Sequence, residues 1–287
     1  MLAGIKGSGT EFRAVVGTGP HDVRAEEVFP TTTADETIAR VTGFLTAQEE
    51  RIEHVGLACF GPLDLDPRSP SHGHITSSLK PTWRDYDLLG AVRAALPVPV
   101  TLEIDVNASA LGECAAGAGV GKRSVVFMTV GKGTGIGAVL GGRPLRGRSH
   151  PEMGHLPVAR HPSDVFAGTC PAHGDCFEGL VNPAGLAARG LSGHEQALLA
   201  AWYLAQVVMT MTYSLSPEVI VLDGAVGTMP GVLPALREAA LDRLGADPAM
   251  AGVKAAIDTY VVASPLGGRA GVLGTLLLDQ AYESEDA

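Results

Sequence analysis

The chain has 287 residues, a formal net charge of −10 and a hydrophobic fraction of 46%. That is ample apolar material for a buried core in one large domain or two lobes, while the acidic balance argues against nucleic acid or anionic membrane as partners, since both reward basic patches. No uninterrupted apolar run approaches the roughly 20 residues needed to span a bilayer, and no hydrophobic signal segment opens the sequence, so a cytoplasmic protein acting on a small molecule is expected.

In chain order, a short strand over residues 1–5 runs through Lys6-Gly7-Ser8-Gly9-Thr10 into a second strand over 11–16. A small-residue turn between strands lets backbone N–H groups approach an anion, although a plain hairpin turn fits the same residues. Neither a P-loop nor a dinucleotide fingerprint is present. Thr33-Ala34-Asp35-Glu36 matches a capping box, and Ile38, Val41 and Leu45 follow at helical spacing, predicting a helix over 34–50. A strand over 54–60 then enters Gly61-Pro62-Leu63-Asp64, and this alternation of strand and helix means an α/β protein. Residues 66–83 lack periodicity and read as a long surface loop. A helix over 85–96 and a strand over 98–104 lead to Asp105-Val106-Asn107 and a small-residue segment over 108–119.

The second half repeats the opening theme. A strand over 124–130 meets Gly131-Lys132-Gly133-Thr134-Gly135-Ile136-Gly137 and then another strand over 138–140, as expected for two related lobes facing each other across a cleft. A long apolar helix over 195–215 belongs in the core or a subunit contact. The strand over 218–222 ends in a third glycine turn, Asp223-Gly224-Ala225-Val226-Gly227, and Leu266-Gly267-Gly268-Arg269-Ala270-Gly271 precedes the last helix.

Cys170-Pro-Ala-His173-Gly-Asp-Cys176, with Glu178 two residues on, carries three soft ligands whose two-residue gaps let one turn present them all to Zn²⁺. A Cys170–Cys176 disulfide would fit a secreted chain, but the other two cysteines, Cys59 and Cys114, each lie in an apolar run. The fourth ligand stays open among His150, His155 and His161.

Together these segments resemble the ROK family of sugar kinases and regulators, in particular its zinc-containing bacterial fructokinases. Ser149-His150-Pro151-Glu152-Met153-Gly154-His155, the cysteine loop through Leu180, and Leu102-Glu103-Ile104-Asp105-Val106-Asn107-Ala108 carry the resemblance. It implies a two-lobed α/β fold of the actin-like, ribonuclease H-like type, with lobes over 1–106 and 107–287, a final helix that packs back on the first lobe, and a homodimer. It implies ATP-dependent phosphorylation of a hexose primary hydroxyl, with Mg²⁺, and Asp105 as the general base. Gly61, Pro62, Asn107, Glu152, His155 and Glu178 would bind sugar. Lys6, Gly7, Ser8, Gly9, Thr10, Gly131, Lys132, Gly133 and Gly224 would bind phosphate, and His155, Cys170, His173 and Cys176 would hold a structural zinc.

The nucleotide side departs from that family pattern. Its first loop usually carries an acidic residue followed by adjacent glycines, where this chain has Lys6 and Ser8. A lysine about 5 Å from a metal ion repels it by about 3 kcal/mol per unit charge at an effective dielectric near 20. Lys132, Asp223, Ala225, Glu11, Arg269 and Leu79 are further departures. Three uses of the cleft fit these facts: a kinase with tolerant loops, an enzyme of non-kinase chemistry on a sugar or sugar phosphate using Asp105, and a non-catalytic sugar-binding pseudokinase. With no N-terminal helix-turn-helix in the chain, a DNA-binding repressor is not expected.

Overall fold

The computed structural model describes residues 1–78 and 80–283, so Leu79 lies outside the described residues. Strands β1 (Leu2–Gly7), β2 (Glu11–Gly19) and β3 (Asp22–Pro30) form an antiparallel ribbon. Helix α1 (Ala34–Thr46) follows, its first turn capped by the Thr33 hydroxyl, which accepts from the Glu36 amide. The expected capping box is half formed, because the Glu36 carboxylate accepts instead from the Thr32 hydroxyl and Arg40. Strand β4 (His54–Cys59) comes next. The two-stranded pair β5 (His74–Ile75) and β6 (Tyr86–Asp87), helix α2 (Leu88–Ala95), strand β7 (Val100–Ile104) and helix α3 (Asp105–Ala116) complete the first half. β1, β4 and β7 run parallel, giving the sheet order β3-β2-β1-β4-β7.

The second half contains β8 (Val125–Val130), β9 (Thr134–Leu140), β10 (Arg143–Pro144), α4 (Phe177–Val181), α5 (Pro183–Ala188) and α6 (Gly193–Leu215). It continues through β11 (Val219–Asp223), α7 (Gly224–Gly227), α8 (Val232–Leu244), α9 (Ala251–Ala255), α10 (Ile257–Tyr260) and β12 (Val261–Ala263), and ends in α11 (Ala270–Thr275) and α12 (Leu278–Glu283). Its sheet order, β10-β9-β8-β11-β12, has the connectivity of the first sheet, with an antiparallel ribbon beside three parallel strands. The α/β, twice-built architecture expected from the repeated strand–glycine–strand pattern is therefore present.

Several local expectations need correction. The supposed surface loop over 66–83 contains Ile75 and Trp83, both fully buried; the Trp83 ring stacks on Phe12 at 5.2 Å and its indole N–H donates to the Thr32 carbonyl. The glycine run before residue 138 is not all loop, since Thr134 to Gly137 already belong to β9. Its glycines face α3: a Cβ on Gly137 would lie 2.3 Å from the Val106 carbonyl carbon, so bare backbone is needed for the helix to approach the sheet. The small-residue segment after Asp105 is α3, whose residues Val106 to Glu113 are all buried. A helix buried on every side carries no amphipathic stripe and escapes a periodicity test. The unforeseen β3 is a charged edge strand in which only Phe29 is buried, the composition that protects an exposed sheet edge.

Helix α6 is long and apolar enough to cross a membrane by length and composition alone, but half of its apolar window is buried in the protein, where Tyr203, Leu204, Val207 and Val208 pack in one core with Leu236 and Ala240 of α8. α11 packs on both α3 and the first sheet. Both contacts run through glycine. A Cβ on Gly274 would lie 1.7 Å from the Ala108 carbonyl oxygen, and one on Gly56 of β4 would lie 1.9 Å from the Thr275 carbonyl oxygen. Gly274→Ala is therefore expected to destabilise the protein by about 1–3 kcal/mol through overpacking, read as a lower urea midpoint. Gly252→Ala, in an open stretch of α9 where the new methyl meets nothing within 4 Å, should be neutral or slightly stabilising.

Candidate active site and metal centre

The parallel strands place charged groups at their carboxyl ends, the usual position for ligand sites in such sheets. Lys6 near the end of β1 pairs with Ala58 of β4, and Asp105 follows β7 as the first residue of α3. The Lys6 ammonium lies 3.8 Å from an Asp105 carboxylate oxygen, and the two side chains are only 19% and 20% exposed. Behind them the Cys59 thiol is held neutral: burial pushes it well up, Asp105 adds to this, and Lys6 opposes it. A cavity of ≈ 50 Å³ joins Lys6 and Asp105 to Ser109 of α3, Thr129 and Asp223 of the second sheet, and Gly267, Gly268 and Gly271 at the start of the C-terminal helices. The Asp105 carboxylate thus sits in a cavity lined by residues of both sheets. A larger cavity of ≈ 640 Å³ lies between the 161–166 segment and α6; it contains no part of this constellation.

The first turn closes on itself. Ser8 donates its N–H to the Glu11 carbonyl, while its hydroxyl accepts from the amides of Thr10 (3.4 Å) and Glu11 (3.1 Å). Gly9 and Thr10 are exposed, and Gly7 packs tightly beside Phe12 and the Cys59 sulfur. The second turn holds Gly131 and exposed Lys132 and Gly133; Glu178 reaches it by accepting from the Thr134 amide at 2.8 Å. Gly224 has φ 85°, and a Cβ there would lie 2.6 Å from the Val130 carbonyl oxygen, so this glycine is explained by its backbone conformation and its packing on β8.

Just beyond the end of β4 the cis Gly61-Pro62 bond lies under the His150 ring. The Glu152 carboxylate stands 3.9 Å from His150 Nε2 and 3.9 Å from His155 Nε2. His155 turns its other nitrogen, Nδ1, to Cys176 Sγ at 3.4 Å and Cys170 Sγ at 3.5 Å, while His173 Nδ1 is 3.7 Å from Cys170 Sγ. All four donor atoms lie within 4.8 Å of one another. A tetrahedral zinc with ordinary Zn–S and Zn–N lengths separates S and N donors by about 3.6 Å, so the donor set fits the ion. Cys170 and Cys176 are free thiols, which removes the disulfide alternative, and burial together with neighbouring Cys170 pushes the Cys176 thiol up to about 11. His155, rather than His150 or His161, completes the cluster.

Asn107 does not open to the cleft. It is 1% exposed, and its amide donates to Glu103 and to the Leu145 carbonyl while its oxygen accepts from the Ala138 amide. It ties α3 to the second sheet, so its expected place among the sugar ligands is corrected to a positioning one. Glu103, fully buried, accepts from Asn107, Arg146, the Ile104 amide and the Tyr282 hydroxyl. Glu113, also fully buried, binds Ser264 and the Ala118 amide; burial raises its carboxyl and these two bonds pull it back. The chain's spacing offered no signal for these partners, which stand up to 179 residues apart.

Residues 2–281 match the ROK family. The chain belongs to the ROK family. It is 36% identical over 98% of its length to a protein named fructokinase from Zymomonas mobilis, covering 97% of that protein. It is 32% identical to one of the same name from Pediococcus pentosaceus, with 98% of each covered. The solved ROK hexokinase of Thermus thermophilus superposes with a TM-score of 0.79 at 27% identity, covering 100% of this chain and 99% of that one. This ROK protein thus has the two-lobed actin-like fold expected of it.

The segment before the cysteine loop is anchored by a buried ion pair. Asp164 accepts from Arg189 Nε (3.1 Å) and Nη2 (2.8 Å), the Tyr203 hydroxyl (2.6 Å) and the Phe166 amide (3.1 Å). Burial alone pushes the Asp164 carboxyl up; Arg189, Tyr203 and the amide outweigh it and hold the carboxyl well below its usual range. A carboxyl depressed in this way stabilises the fold above its unfolded value near about 4, and that stability is lost as pH falls through the folded value. Arg189→Ala strands a buried carboxylate and is expected to cost about 3–5 kcal/mol at neutral pH. In urea melts across pH, the gap to wild type should shrink as pH drops toward and below about 4.

Proposed function

We propose that this ROK protein transfers the γ-phosphoryl group of MgATP to a primary hydroxyl of a hexose, with fructose the first acceptor to test. The observation that carries it is Asp105, fixed at the end of β7 and the start of α3 and facing the cleft between two sheets, in a chain whose full-length relatives are named fructokinases. Asp105 takes the hydroxyl proton as the sugar oxygen attacks the γ-phosphorus; the bond to the bridging oxygen breaks and ADP leaves. Gly61-Pro62, Glu152, His155 and Glu178 line the sugar side, and the three turns ending β1, β8 and β11 receive the nucleotide. The lobes divide near residue 106, and the protein works as a cytoplasmic homodimer, as the resemblance implies.

His155, Cys170, His173 and Cys176 would hold zinc as a structural ion. With all four positions filled by protein, no site is left for substrate or water. Its use is mechanical: a metal-bound His155 keeps Nε2 toward Glu152, and so fixes that carboxylate beside His150 over Gly61. Elemental analysis should find one zinc per chain, and Cys176→Ser should lose it together with several degrees of melting temperature. A metal-free preparation with unchanged melting would remove zinc from the scheme.

Asp105→Asn should lower turnover by about 10²–10⁴ while fructose affinity stays within several-fold. Coupled ADP-release assays with fructose, glucose and mannose measure it. ADP release requiring both MgATP and sugar separates the kinase from the pseudokinase and from non-kinase chemistry; its absence in the wild type would overturn the proposal.

A further inference from the structure

Lys6 is the cation of the cleft whose surroundings assign it a task. Its stem is pinned against bare backbone of α11, since a Cβ on Gly271 would lie 3.0 Å from Lys6 Cγ and 3.1 Å from Cε. The ammonium is thereby held at the Asp105 carboxylate, 3.8 Å away, in the cavity that also contains Asp223 and Thr129. Meanwhile the turn that follows cannot offer all its amides to an anion. The N–H groups of Thr10 and Glu11 are taken by the Ser8 hydroxyl, and that of Ser8 by the Glu11 carbonyl. Positive charge for a phosphoryl group at this corner therefore comes from the side chain of Lys6, with three donors on a compact point charge.

We propose that Lys6 is a further catalytic residue that hydrogen-bonds a non-bridging oxygen of the phosphoryl group in transfer. The proposal rests on the kinase function above. In the free site Lys6 and Asp105 neutralise each other. When the sugar hydroxyl gives its proton to Asp105, that carboxyl becomes neutral and its hold on Lys6 weakens, just as negative charge accumulates on the new sugar phosphate. The ammonium, which keeps its own proton throughout, then leaves its 3.8 Å ion pair with Asp105 and hydrogen-bonds the phosphoryl oxygens. The sugar oxygen–phosphorus bond has formed, the bridging bond has broken with its electron pair on ADP, and the one proton released sits on Asp105. Lys6 thus favours the charge that develops in the transition state over the neutral sugar of the ground state.

The test uses Lys6→Met, which keeps a stem to pack on Gly271, and Lys6→Arg, which keeps the charge. Steady-state ADP release with fructose is paired with titration calorimetry of fructose and of fructose 6-phosphate. Lys6→Met should lower kcat by about 10²-fold, leave fructose affinity within about threefold, and weaken fructose 6-phosphate by about tenfold or more, the loss expected for a charged hydrogen bond. Lys6→Arg should recover part of both losses. Equal weakening of fructose and fructose 6-phosphate would mean a structural role only, and unchanged or raised kcat in Lys6→Met would mean that the lysine merely restrains the base; either overturns the proposal. If the wild type releases no ADP, the kinase function falls instead, and the preference for fructose 6-phosphate over fructose still decides whether Lys6 contacts phosphate.

Discussion

Helix α3 is squeezed between two sheets, and this close approach governs the rest of the molecule. It packs on α11 on one side, itself seated on the first sheet, and on β8 and β9 of the second sheet on the other. Ordinary side chains at these contacts would hold the backbones several ångströms further apart, so glycine appears at Gly56, Gly137 and Gly274. The helix has no amphipathic face because it has no solvent face. Its N-terminus is consequently fixed with respect to both halves, and Asp105 is the residue that stands there. A carboxylate on a flexible loop would need ordering before it could act as the proposed base, whereas here the order is built during folding.

Polar contacts refine what the packing sets. Asn107, two residues on from Asp105, uses its amide on Glu103, Leu145 and Ala138, so the second sheet is registered against the helix by hydrogen bonds as well as by shape. Glu103 is the anion at the centre of this network, compensated by Arg146, whose guanidinium also lies 4.0 Å above the Tyr282 ring. A buried carboxylate without such partners would be costly; with them it holds α12, at the far end of the chain, against the strand that leads into Asp105. The cysteine loop is arranged likewise, with Asp164 and Arg189 fastening its approach and Glu178 linking its end to the second glycine turn.

Much of the candidate site was legible in the chain because its chemistry is local. Cys170, His173 and Cys176 fall on one turn, and the ligand types alone point to zinc. Asp105 follows a strand at a place where a carboxylate faces a crevice. Glycine proved ambiguous. Gly7 and Gly224 both read as phosphate-loop residues, yet each has a packing reason that depends on a partner distant in sequence: Cys59 and Val130. Trp83 likewise sits in a stretch of Ser, Pro and Gly that looks exposed, and only the ring of Phe12 shows that the stretch folds over the core.

By itself the sequence determined the α/β class, the repeated strand–turn–strand units, the metal-ligand types and the carboxylate that follows the strand over 98–104, because each is written in neighbours within a few positions. The tertiary structure brought His155, which the resemblance named and spacing left open, to the other three ligands, and it alone decided that Asn107 is an interior brace rather than a sugar ligand and that Lys6 faces Asp105 across 3.8 Å. Those outcomes depend on distances between strands and helices far apart in the chain. A hydrogen bond or ion pair is set by such distances to within a few tenths of an ångström, and residue spacing along the chain does not contain them.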